Sequence, residues 1–366
     1  MLKSLTRYVD QFRGSNEAAI TLPPMDGALK PNTRIEDAPT LARADRPDNL
    51  VRHEGRVLFS SGRDLCALSG DGAPRTVWSA SSPITFIAAH PSGGLAVGLE
   101  EGRVEIRGGP HDGLSLDTVG DTPIVAPSAA CFDGAGRLQL CLASQIHAMG
   151  NWTRDLMTFG ATGSVWTIEL DDGSATPLAR GLAFPSGIAA AADGAVVISE
   201  SWRHRVRRIR QDGQSETLLD ELPGYPSRLV REEGGEGYWL CVFAPRTQLI
   251  EFVLSEDSYR RQMIDTIDPE YWIAPSLHAP RSYLEPMQGG GLKQLGELKP
   301  WAPSRSVGLV ARLDARGRPV DSFHSRANGQ RHGVTSCLPD GDGLIVASKG
   351  GDVIVRIATR EGQQDA

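Results

Sequence analysis

A unit of roughly 40 residues, built only from short strands and turns, recurs along this chain and excludes most folds at once. Its clearest copy is residues 181–209, GLAFPSGIAAAADGAVVISESWRHRVRRI. A turn at Pro185-Ser186-Gly187 leads into the apolar run Ile188-Ala189-Ala190-Ala191. Asp193-Gly194 reverses the chain into Ala195-Val196-Val197-Ile198-Ser199. After a polar break at 200–204, Arg205-Val206-Arg207-Arg208-Ile209 alternates charged and apolar residues. Asp-Gly between two apolar runs is a hairpin signal, and a buried middle strand beside an alternating outer one describes a sheet that is dry inside and wetter outside.

Looser copies begin at RPDNLVRHEGRVLF, SPITFIAAHPSGGLAV, PSAACFDGAGRLQLCL and PGYPSRLV, the last continuing through YWLCVF and TQLIEFVL. A sixth copy combines GLVARLDARGRPVDSFHS with GVTSCLPDGDGLIVASKGGDVIVRI. Six such modules predict an all-β chain folded as a six-bladed β-propeller, in which radial repetition leaves few open sheet edges. Residues 41–360 form that ring. Residues 1–40 are read as a short amphipathic helix over 1–12, a strand at 18–22 that closes the last sheet, and a Pro-rich connector. Two stretches break the repeat and are read as cap insertions: 145–163 inside the third module, and 267–306 between the fifth and sixth. The second is rich in Pro, Gly and aromatic residues, with Gly289-Gly290-Gly291 as a hinge.

Composition narrows the function. The net charge is −7 with no long Lys/Arg block, so no nucleic-acid partner is expected. No apolar run approaches the roughly 18–20 residues that span a bilayer. The N-terminus lacks the apolar core of a signal peptide. The five cysteines lie singly on strand patterns, which reads as buried thiols in a reducing cytoplasm. No phosphate- or dinucleotide-binding motif occurs, and no cofactor is expected.

At the motif level the chain resembles strictosidine synthase-like propellers. The residues that carry this are Phe184-Pro185-Ser186-Gly187 with Ser199-Glu200-Ser201 and Arg205-Val206, then Leu222-Pro223-Gly224-Tyr225-Pro226-Ser227-Arg228 with Gly237-Tyr238-Trp239. The two segments of the closing module extend the match. The resemblance implies a central channel that handles a small organic molecule by hydrolysis, lyase chemistry or amine–aldehyde condensation. The related paraoxonase and gluconolactonase propellers hold Ca²⁺ at the channel. Here the matching positions are Asp48-Asn49, Ser128, Ser186 and Ser227-Arg228. Hydroxyls and a guanidinium replace the oxygen ligands Ca²⁺ needs, so no metal site is expected. The glutamate the plant synthase uses is also missing, because Gly333-Val334-Thr335-Ser336 stands at its place.

The candidates for chemistry are therefore the polar residues that open each inner strand. His332 is proposed as general base because it titrates near neutrality. Asp48 and Arg228 join it, with Arg228 either holding a substrate anion in place of the ion or pairing with Asp48 as a structural bridge. Asn49, Ser128, Ser186, Ser227, Thr335, Trp272 and His147 are expected to line the substrate site. The partner is a small molecule in this reading. The alternative is a non-catalytic propeller that binds a metabolite or a protein on its face.

Overall fold

The structure, a computed structural model, describes residues 22–70, 72–282, 284–285, 293–294, 297–298 and 305–359 of the 366. The expected N-terminal helix, nearly all of the 18–22 strand and the 289–291 hinge lie outside these residues. Six four-stranded antiparallel sheets form the ring. Their inner strands are Pro47–His53, Ile84–Ala89, Pro127–Phe132, Pro185–Ala190, Gly224–Arg231 and Val334–Asp340. Each inner strand packs against the next around the axis, and the sixth packs against the first.

The ring closes through Thr40–Arg43, which pairs antiparallel with Val353–Ala358 at the outer edge of blade six. That segment follows the connector and precedes the first inner strand, so both chain ends contribute to one sheet. A buried apolar layer fills each gap between neighbouring blades. Between blades five and six, for example, Trp239, Cys241, Val310 and Phe323 meet Val334, Val346 and Val355. Apolar residues alternating along the middle strands supply both layers that each sheet touches, which is why those strands read as continuous hydrophobic runs.

Blade five departs from the expected layout. Its second strand, Tyr238–Pro245, pairs with Leu309–Leu313, and Pro319–His324 completes the sheet. The GLVARLDARGRPVDSFHS segment is therefore the outer half of blade five, and the cap insertion lies within that blade. The insertion also begins earlier than 267. TQLIEFVL is the helix α2 (Gln248–Ser255) rather than a strand, because the Thr247 hydroxyl accepts from Ile250 N at 3.2 Å and caps it. Ile250, Val253 and Leu254 then fall on one buried face. Helix α3 (Asp257–Thr266) follows.

The blade-three insertion carries helix α1 (Trp152–Met157). Leu156 and Met157 share one apolar cluster with Ile250, Val253, Met263 and Trp272, so the two insertions form a single cap. Both leave their blades after a second strand. Strands alternate in direction, so this places them on the face where the inner strands begin, over the mouth of the channel.

Candidate active site at the capped channel mouth

All six inner strands carry a register break at or next to their second residue. The breaks fall between Asp48 and Val51, Ile84 and Phe86, Pro127 and Ala129, Pro185 and Gly187, Pro226 and Leu229, and Val334 and Ser336. A bulge re-aims the residue it frees. Here the freed residues include those the sequence pattern singled out, Asn49, Ser128, Ser186, Ser227 with Arg228, and Thr335, together with Thr85.

Most of these side chains tie one blade to the next. Asn49 Nδ2 reaches the Ile84 carbonyl at 3.4 Å, and Ser128 Oγ donates to the Pro185 carbonyl at 2.6 Å. Ser186 Oγ lies 3.1 Å from the Pro226 carbonyl, Ser227 Oγ donates to the Thr335 carbonyl at 3.0 Å, and Thr335 Oγ1 to Asp48 Oδ1 at 2.8 Å. The expected substrate-contacting hydroxyls thus serve first as staples around the axis. Thr85 breaks the series: among the described residues its buried Oγ1 has no partner.

On this ring sits a compact charge cluster. Asp48 is 3% exposed. Its Oδ1 accepts from Arg228 Nη1 at 2.9 Å, and its Oδ2 from Lys349 Nζ at 2.9 Å. Burial alone would raise the Asp48 carboxyl, but the guanidinium and the ammonium outweigh it and hold the group at about 2. Arg228 also donates through Nη2 to the Thr85 carbonyl. The Asp48–Arg228 pair anticipated from the sequence is present, and Lys349 adds a second cation. A divalent ion does not fit this arrangement. Asp48 is the one carboxylate among the axial positions, both its oxygens are taken by cations, and Ca²⁺ requires about six to eight oxygen ligands.

Above the cluster lies a cavity of about 230 Å³, floored by Asp48, Thr85 and Arg228 and roofed by Met149, Trp152 and Leu277 of the cap. One wall is aromatic: Phe184 stacks on Trp202 with centroids 4.3 Å apart, and Trp152 stacks on Trp202 at 6.2 Å. Trp202 is fixed by its Nε1, which donates to the buried Asp155 of α1 at 2.8 Å. Phe184 is held in the left-handed region at φ 58°, a strained backbone for a bulky residue, and this turns its ring toward the cavity. Glu100 also lines the cavity. No partner for its carboxylate occurs among the described residues, and it lies against Gly150, where an added Cβ would sit 2.1 Å from Oε1.

Other expected site residues are placed elsewhere. His332 is fully buried and does not line the cavity. Its Nε2 donates to the Arg326 carbonyl at 2.9 Å and its Nδ1 lies 2.6 Å from Ser306 Oγ, so both ring nitrogens are engaged. Burial also pushes its pKa down. The geometry offers no general base there. Trp272 is 1% exposed in the cap core, its Nε1 donating to the Ile267 carbonyl, and lines an outer chamber instead. His147 lies 3.4 Å from Thr158 Oγ1 and lines neither chamber. Glu200, outside the cavity, is fully buried and forms ion pairs with Arg205 and Arg207.

Glu100, Lys349 and Trp202 were missed because, within the blades, only residues at the start of the inner strands were considered. All three stand one or two residues after the end of the second strand of their blades. That recurrence was the signal available.

No family model matches the chain. Adipocyte plasma membrane-associated protein of Salmo salar is 29% identical over 118 residues, which span 30% of this chain and 28% of that protein. A gluconolactonase from Xanthomonas campestris superposes with a TM-score of 0.56 at 13% identity, covering 89% of this chain and 91% of that one. Regucalcin from Agrobacterium tumefaciens, described as a calcium-binding protein, gives a TM-score of 0.51 at 12% identity over 87% and 92% of the two chains. These likenesses establish the six-bladed fold.

Proposed function

We propose that the capped channel is the active site of a small-molecule hydrolase acting on esters or lactones, with fixed cations where relatives use a metal. The observation that carries this is the pairing of Glu100, a carboxylate with no partner among the described residues, with a buried two-cation cluster in one aromatic-walled cavity. The gluconolactonase named above, a propeller of the same fold, fits this reading. So does the strictosidine synthase-like motif pattern, whose range includes hydrolysis.

The chemistry follows from the positions. Glu100 takes a proton from a water molecule as the water oxygen bonds to the carbonyl carbon of the substrate. The negative charge that develops on the carbonyl oxygen faces Arg228 and Lys349, which Asp48 holds in place without neutralising both. Collapse of the adduct breaks the bond to the leaving oxygen, which receives the proton from Glu100. The products are an acid and an alcohol, or one hydroxy acid from a lactone. The cap keeps bulk water out, which strengthens each of these charge interactions.

The test is a panel of phenyl esters and γ- and δ-lactones, followed by phenol release or proton production. Arg228→Met should lower kcat/KM by ~10²–10³, the range seen when a fixed oxyanion donor is lost. A protein that binds aryl probes in the cavity yet hydrolyses nothing in the panel would replace this reading with a binding propeller.

A further inference from the structure

The cap encloses a second chamber outside the first, of about 340 Å³. Arg46, Trp152, Leu277 and Lys349 line both, so the two are adjoining rooms with a shared wall. Their chemistry differs. The inner room is walled by stacked rings above Asp48 and Arg228, whereas the outer one adds Arg281, Arg305 and Glu270 to the shared Arg46 and Lys349.

Two of the outer room's cations are already committed: Arg305 to Glu285 at 2.8 Å, and Lys349 to Asp48. The other two are not. Arg281 is 60% exposed and its contact with Asp352 is 3.9 Å long, while the Arg46 side chain has no partner among the described residues. Arg46 is also held at φ 45°, with its backbone N–H donating 2.9 Å to Asp352 Oδ1. That anchor fixes an arginine in a costly backbone state at the boundary of the two rooms.

We infer that the outer chamber is an anion subsite, and that the substrate joins an apolar or aromatic part, seated in the inner room, to a carboxylate or phosphate held by Arg46 and Arg281. This rests on the channel being the substrate site but not on the reaction that occurs there. The guanidinium fork suits both anions.

The test is equilibrium binding, independent of turnover, with 4-phenylbutyrate and its neutral counterpart 4-phenylbutanol, read by tryptophan fluorescence and calorimetry. Wild-type protein should bind the carboxylate ~10-fold or more tightly than the alcohol, and the preference should shrink with added salt. Arg46→Met should remove most of that preference while leaving phenylbutanol binding unchanged, and Arg281→Met should reduce it without touching the strained position. 4-Phenylbutyl phosphate binding more tightly than the carboxylate identifies phosphate as the anion, and the reverse order identifies carboxylate. Equal affinity for acid and alcohol, or arginine variants that weaken both alike, overturns the assignment. Loss of hydrolysis with anion preference intact would overturn the hydrolase reading alone.

Discussion

The Asp48–Arg228 pair makes a quantitative test of the charge cluster. Asp48→Asn keeps the shape of the side chain and an acceptor for Thr335 Oγ1 but removes the charge facing Arg228 Nη1 and Lys349 Nζ, both 2.9 Å away. The side chains are 4%, 19% and 25% exposed, so water screens the stranded cations poorly. Breaking a buried pair at one end costs ~3–5 kcal/mol. Titration gives an independent figure. Lowering the carboxyl from 3.8 to about 2 corresponds to about 2 kcal/mol of linkage. Because the folded value is the lower one, that stability is complete above pH 4 and disappears as pH falls toward 2. The expected loss in Asp48→Asn at pH 7 is therefore ~2–5 kcal/mol. Arg228→Met should cost a similar amount. The double variant should cost less than the sum by at least ~1.5 kcal/mol, since the second change removes the charge that the first strands. Urea unfolding followed by tryptophan fluorescence measures all four proteins. Additive losses, or an Asp48→Asn penalty under ~1 kcal/mol, would show that the two groups do not act as a buried pair.

Three further outcomes follow from the structure. Burial, helped by the nearby Arg246 charge, pushes the His204 imidazole down to about 3. The unfolded chain takes up a proton below its ordinary 6.5 and the folded one does not, so stability should fall by about 2 kcal/mol between pH 6.5 and 5, a slope that His204→Gln should flatten. Cys141 and Cys241 are 0% exposed and burial raises both thiols, so their modification by a thiol reagent should wait for global unfolding and not precede it. Asp155→Ala removes the acceptor for Trp202 Nε1, so it should lower stability by ~1–2 kcal/mol, shift the tryptophan emission and weaken aryl binding; an unchanged spectrum would mean the indole is held by stacking alone.

The ring was legible in the sequence because Gly-turn-strand punctuation recurs six times and a propeller needs little else. The axial positions were legible too: the residues at the start of each inner strand are where the structure places its bulges. Chemistry within that ring was less readable. His332 has the right residue type beside the right strand, but only packing reveals that Ser306 and Arg326 engage both its nitrogens. TQLIEFVL is rich in strand-forming residues, and the signs of a helix were a single capping threonine and the spacing of Ile250, Val253 and Leu254. The outer half of blade five was assigned to its neighbour because a long insertion separates strands that pair in space. The closing strand Thr40–Arg43 spans only four residues and carries no pattern of its own. Glu100 and Lys349 reach the cavity from strand ends that a search along the inner strands passes over.

The most direct measurement is the rate of phenyl ester and lactone hydrolysis by exhaustively chelated wild-type protein beside Glu100→Gln. Chelation should leave the wild-type rate unchanged, and Glu100→Gln should lose ~10²–10⁴ in kcat with aryl binding retained, the range expected when a general base is removed. Activity that vanishes on chelation and returns with Ca²⁺, or a Glu100→Gln protein as fast as wild type, would contradict catalysis by a carboxylate and a built-in cation cluster.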